Sequence, residues 1–190
     1  MGRRAHGAVL AVLLALSGAA CAKTPPPSGG TVESSTAPIP LRVGYWEQPA
    51  FQTARFTGEG LADVSFGDVI EHGLADLGIS TFRSAAWFGS QAEAIQSPNI
   101  DAVVVPTIES LSIAKDPEGL GPREISTVRM QWQVSDRTGR VLWSNMVVTQ
   151  LREACLIDLC RRDFARRAVR EHFEAAGAEM RSFPWWQRSR

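Results

Sequence analysis

The clearest pattern along the chain is an alternation of period two. Val128, Met130, Trp132 and Val134 alternate with Arg129, Gln131, Gln133 and Ser135, and a second run follows from Arg140 to Val147. Such alternation marks a half-buried strand, because successive side chains leave opposite faces of a sheet. Asp136-Arg137-Thr138-Gly139 between the runs has turn chemistry, so the segment predicts an antiparallel hairpin. With those four residues as the loop, Val134 faces Val141 and Trp132 faces Trp143. Met130, Trp132, Val134, Val141 and Trp143 then share one face, with the tryptophans either in the core beneath a helix or forming a platform on which a ligand stacks.

The remaining elements follow from weaker patterns. Residues 41–46, LRVGYW, predict a first strand, and 47–63 has no period and predicts a long loop. Ser65 opens a helix, with Asp68 at capping-box spacing, and Phe66, Val69, Ile70, Leu74 and Leu77 on one face. Gly78 marks its end, and ISTFRS from Ile79 predicts a short strand. Residues 100–105 are β-branched and nearly all apolar, as in a buried strand; Pro106 then marks an edge, a bulge or a break before 107–113 continues extended. Between 115 and 123, Pro117, Gly119, Gly121 and Pro122 predict a loop. Finally, Phe164, Ala168, Val169, Phe173, Ala176 and Met180 form the apolar stripe of a helix over 163–180, with Arg161, Arg162, Arg166, Arg167 and Arg170 elsewhere on it. This order predicts an α+β two-layer sandwich: a mostly antiparallel sheet of four to five strands with two helices on one face.

The amino-terminal stretch changes the picture by setting a compartment. Arg3 and Arg4 precede an apolar run from Ala8 to Leu16 and small residues from Ser17 to Ala20, the three parts of a secretory signal. The run is shorter than the roughly 20 residues a spanning helix needs. The small residues lead directly into a cysteine, and Ser17-Gly18-Ala19-Ala20-Cys21 resembles the lipobox of bacterial lipoproteins, with Gly18 where the preferred form has leucine. The resemblance implies cleavage before Cys21, a diacylglycerol on its thiol and an acylated new amino terminus. Each buried methylene contributes about 0.8 kcal/mol, so several acyl chains anchor durably. Ala22 stands where an inner-membrane sorting signal would place Asp, which implies the periplasmic face of a Gram-negative outer membrane. Residues 1–20 are thus a signal peptide, 21–40 a lipidated cysteine with a Pro/Gly/Ser tether, and 41–190 a single domain. Loss of Arg3 and Arg4 leaves 18 basic against 20 acidic residues, a balance with no general attraction to nucleic acid.

Candidate chemistry is sparse. Cys155 and Cys160 form an even pair in an exported chain, which favours a disulfide over two thiols or a metal pair. Their closure requires that the intervening LIDL not be regular helix, because positions five apart on a helix point away from each other. His72 and His172 make no metal spacing with them and read as surface or boundary helix residues. The glycines at 58–60 and 119–121 lack the lysine of a phosphate loop, and WFGSQ around Ser90 lacks the pattern of a nucleophile elbow. No metal, no cofactor and no enzymatic activity are expected. Phe183, Trp185 and Trp186, close to Arg181, suit a protein interface or a membrane–water boundary, or else a tail folded back over the sheet edge.

The segment VRMQWQVSDRTGRVLWSNMVV, after IDAVVVPTIESL, resembles a strand–turn–strand of small periplasmic lipoproteins. These include the TolB amino-terminal-like group, the curli-secretion and penicillin-binding-protein-activator lipoproteins, the auxiliary lipoproteins of lipid-moving ABC transporters and the lipopolysaccharide-assembly lipoprotein. The likeness covers residues 100–180 and carries over no site residue beyond the lipidated Cys21. It implies a membrane-anchored, non-enzymatic accessory subunit of an envelope transport or assembly complex, with protein partners in the envelope. The rival reading is a periplasmic lipid shuttle, holding an apolar ligand between helix and sheet.

Overall fold

Five strands form one mixed sheet, with the main core on one face and a small second core on the other face of β1, β2 and β3. The computed structural model describes residues 38–46, 48–58, 65–119, 123–155 and 157–189; Cys21 and the signal-like segment lie outside them. The order is β1 (Ile39–Trp46), α1 (Pro49–Gln52), α2 (Gly67–Thr81), β2 (Phe82–Phe88), α3 (Gln91–Gln96), β3 (Ala102–Lys115), β4 (Arg123–Asp136), β5 (Val141–Ala154), α4 (Asp158–Ser182) and a 3-10 turn at Trp185–Ser189. In space the strands run β2-β1-β3-β4-β5. β1 is parallel to both its neighbours, and the β3–β4 and β4–β5 ladders are antiparallel. The fold is α+β with a mostly antiparallel sheet.

Alternation sorts the side chains. Val43 and Tyr45 of β1, Ala102 and Val104 of β3 and Val128, Met130, Trp132 and Val134 of β4 join Leu74 of α2 and Phe164, Val169 and Phe173 of α4 in the main core. Their neighbours Trp46 and Val103 face the other way and meet Ala94 of α3 in a small second core. The helix–sheet interlayer is filled by large side chains with essentially no exposure, Trp132, Tyr45, Phe82 and Phe164 among them. An apolar ligand held there, as the shuttle reading requires, would have to displace them.

Several expectations are corrected. The folded region starts earlier than residue 41, since Ile39 is fully buried and pairs with Phe82. The hairpin keeps its faces but not its register: Val134 lies opposite Trp143 and Trp132 opposite Asn145. Asp136 causes the shift. Its Oδ1 accepts from Thr138 N, Thr138 Oγ1 and Arg140 N, and its backbone N–H donates to the Arg140 carbonyl. Gly139 closes this tight turn at φ 87°, a conformation that favours glycine. The ladder then shifts between Val134 and Ser135, and Val141 is left half exposed instead of sharing the buried face.

Helix α2 begins at Gly67 with Phe66 in the N-cap position and no side-chain cap from it; the Ser65 hydroxyl, one residue earlier, accepts from Gly67 N (3.4 Å) and donates to the Gln52 carbonyl (3.1 Å). It runs past Gly78 to Thr81, so 79–81 is helix where a strand was expected. Gly78 serves close packing: a Cβ there would stand 2.6 Å from Ala85 Cβ and 2.9 Å from Tyr45 Cε2. β3 passes through Pro106 without a break. β1 pairs with β3 only at Ala102 and Val103, so by Pro106 that flank of β3 is already free of β1. Two further helices are present: α1 within the predicted long loop, and α3 in a stretch to which no element was assigned. α3 carries its own start signal, for Ser90 Oγ accepts from Glu93 N (3.2 Å) while the Glu93 carboxylate accepts from Gly89 N (2.9 Å).

Candidate functional site

Two surface features gather polar chemistry. The first lies where α2 and α4 pack side by side. Their carboxy-terminal ends are tied together by Arg181, whose Nη1 donates to Thr81 Oγ1 (3.0 Å) and the Ser80 carbonyl (3.4 Å). Toward their amino-terminal halves the helices leave a groove of about 500 Å³, walled by Asp68, His72 and Asp76 from α2 and by Asp163, Arg166 and Arg170 from α4. Arg167 borders it and reaches back to Glu153 of β5. The α2 wall carries carboxylates and the α4 wall mostly guanidinium groups, a mixed charge that suits a polar partner surface more than a single charged ligand.

The second feature is a cleft of about 310 Å³ where β1 begins, between the β4–β5 turn and the 3-10 turn. Its acidic groups already have partners. Asp101 accepts from Arg42 through Nη2 (2.8 Å), Nε (3.1 Å) and the backbone N–H (2.9 Å). The Arg42 hydrogen bond holds the Asp101 carboxyl below its usual range. Asp136, bonded by the Thr138 hydroxyl and by Arg140, is likewise held low. Leu41, Leu142 and Trp186 complete the cleft. These carboxylates are spent on the turn and on fastening β1 to the start of β3. Among the described residues no three His, Cys, Asp or Glu side chains gather to hold a metal ion.

The cysteines and the tail each take a definite place. Cys155 and Cys160 are bonded, with Cα atoms 5.5 Å apart. The bridge spans the junction of β5 and α4, where Arg161 Nε also donates to the buried Glu124 carboxylate (2.7 Å). Of the four residues expected to offer a partner or membrane surface, Phe183 alone is largely exposed. Trp185 is buried: its indole N–H donates to the Met180 carbonyl (2.9 Å), and its ring lies 6.5 Å from that of Trp143. Trp186 is half-buried against it and Arg181 is engaged with α2. The tail folds back over the sheet, because the hairpin and the end of α4 leave an apolar seat that Trp185 fills.

His172 was expected at the surface or boundary of its helix and is fully buried. The Trp132 indole N–H donates to its Nε2 (3.2 Å), so Nδ1 carries the ring proton and donates to Thr149 Oγ1 (3.1 Å). Burial pushes its pKa down to about 4, which keeps the ring neutral. Its place on the α4 stripe, one residue before Phe173, was the available signal. His72 stays exposed, with Nδ1 on the Asp68 carbonyl (2.6 Å).

No family model matches the sequence, and no curated protein matches it. Among solved structures, a Xanthomonas campestris protein assigned to the family model DUF330 superposes with a TM-score of 0.57 at 10% identity, covering 81% of this chain and 89% of that one. The two chains share a fold. A minor lipoprotein from Acinetobacter baumannii (TM-score 0.45, 8% identity, 74% and 91% covered) and lipoprotein B from Nitrosomonas europaea (TM-score 0.44, 10% identity, 82% and 92% covered) are similar more loosely.

Proposed function

We propose that this chain is a lipid-anchored periplasmic protein, held at the outer membrane through Cys21, that serves as a non-enzymatic accessory subunit of an envelope transport or assembly complex. The observation that carries the reading is the run of small residues ending at Cys21, ahead of a Pro/Gly/Ser-rich stretch and a domain whose first strand starts at Ile39. Among the described residues no helix is long and apolar enough to cross a membrane, so attachment would rest on the acylated cysteine. A domain with a filled interlayer and mixed-charge surface grooves is suited to docking, whereas a shuttle needs an apolar chamber.

The test has two parts. Palmitate labelling in cells should mark the wild-type chain and not Cys21→Ser; equal labelling of both would remove the anchor from the reading. Crosslinking and pull-down from envelopes should then recover a transport or assembly protein with the anchored chain. If the Cys21→Ser chain is released as a free domain and the cell loses no function, the accessory-subunit reading fails.

A further inference from the structure

The two edges of the sheet are built differently. β2, at one edge, is 7 residues long and carries Arg83 near its start. Short strands and charges are common ways to protect an edge from pairing. β5, at the other edge, is 14 residues long, and no described element pairs beyond it. From Val141 to Leu151 it contains no charged residue, no proline and no glycine. Val141, Met146 and Val148 are 50%, 38% and 48% exposed. A long, uncharged, β-favourable edge is a template for another strand.

The sequence of this edge is complementary to itself. Along Trp143–Leu151 the side chains alternate between the helix-covered face, which includes the buried Val147, and the open face, which includes Met146 and Val148. An antiparallel copy placed about a two-fold axis at Val147 sets Val147 opposite Val147 and Met146 opposite Val148. Ser144 then meets Gln150, Asn145 meets Thr149 and Trp143 meets Leu151. Apolar residues face apolar ones, polar face polar, and Arg152 and Glu153 lie opposite Leu142 and Val141, with no like charges in register. The arrangement is isologous, as a two-fold dimer requires. Pairing over this run would form about nine backbone hydrogen bonds, close to the roughly ten of a standard protein interface.

We propose that β5 pairs with β5 of a second copy of this chain, antiparallel about Val147, joining two five-stranded sheets into one. The dimer is independent of the anchor, so the mature full-length chain carrying Cys21→Ser serves for the test. Light scattering after size exclusion should give twice the chain mass, shifting toward the single-chain mass on dilution. Met146→Lys with Val148→Lys sets lysine opposite lysine and should give only the single-chain mass, with circular dichroism unchanged to show that the fold survives. Under mild oxidation Met146→Cys with Val148→Cys should give a covalent dimer, and Ser144→Cys with Val148→Cys should not. A wild-type chain that stays single at every concentration, including one that pairs only with another protein's strand, overturns the proposal. So does a dimer indifferent to the lysines, and crosslinking through 144 and 148 alone overturns the register.

Discussion

The sheet has two ends, each roofed by one long helix, and they solve burial in different ways. At the hairpin end α4 lies over β4 and β5, and the buried surface includes polar atoms that bond one another, Trp132 to His172 and His172 to Thr149, as well as two atoms of β4, Ser126 Oγ and Glu124 Oε2, that have no partner among the described residues. At the parallel end α2 connects to β2 beside β1, and packing there is mostly apolar, with the buried Thr81 hydroxyl accepting from Arg181. Among the described residues the Tyr45 hydroxyl is buried there without a partner. That ring is fully buried and burial pushes its pKa upward, so the phenol stays neutral. A buried polar group contributes specificity where the elements around it supply partners, as they do around His172. The hairpin end does so because β5 brings Thr149 to one side of His172 and β4 brings Trp132 to the other.

The largest expected effect comes from removing the ring that anchors the hairpin end. Trp132→Ala deletes a fully buried indole that also meets Phe173 edge-on at 5.4 Å, and should cost about 4 kcal/mol in urea unfolding. A cost below that of an ordinary surface substitution would show that the two ends are not distinguished as described.

Acid should come next. His172 stays neutral in the fold down to a pKa of about 4, whereas the unfolded chain takes up its proton below about 6.5. Its contribution is therefore present above pH ~6.5 and is lost as the pH falls toward 4, about 3 kcal/mol in all. Asp101 and Asp136, whose values are lowered from 3.8, lose their contributions only below that pH. The windows thus separate, and unfolding free energies measured between pH 7 and pH 4 should slope in the wild type and flatten in His172→Asn.

Replacing Cys155 and Cys160 together by serine opens the short loop joining β5 to α4. Chain-entropy arguments put the loss at about 2 kcal/mol, read as a lower unfolding midpoint that reductant reproduces in the wild type. The smallest effect belongs to the parallel end. Tyr45→Phe removes a hydroxyl with no partner, so stability should change by less than about 0.5 kcal/mol, or rise. A large loss there would mean that the hydroxyl is bonded in solution and would erase the contrast between the ends.

What could be read in advance divides along the same line. Periodicity is a local property, so β4, β5 and the stripe of α4 were legible from residues two or four apart. The hairpin register was not, because Asp136 and Gly139 draw the turn tighter than its composition implies. α3 was announced by Ser90 and Glu93 but is only six residues long and has almost no period. The tail was legible only as a choice between exposure and burial. Trp185 is apolar and amphipathic in either setting, and what decided between them was the seat left by Trp143 and Met180.

By itself the sequence determined the alternating strands, the two long amphipathic helices and the α+β class, since each rests on spacing within one segment. It also brought the two carboxy-terminal cysteines near enough in the chain to pair. Only the tertiary structure decided that β1 lies parallel between β2 and β3, that His172 is an inner residue with two partners, and that β5 is left as an edge. Those outcomes depend on which distant segments meet, and a neighbour far away in the chain leaves no period in the residues it covers.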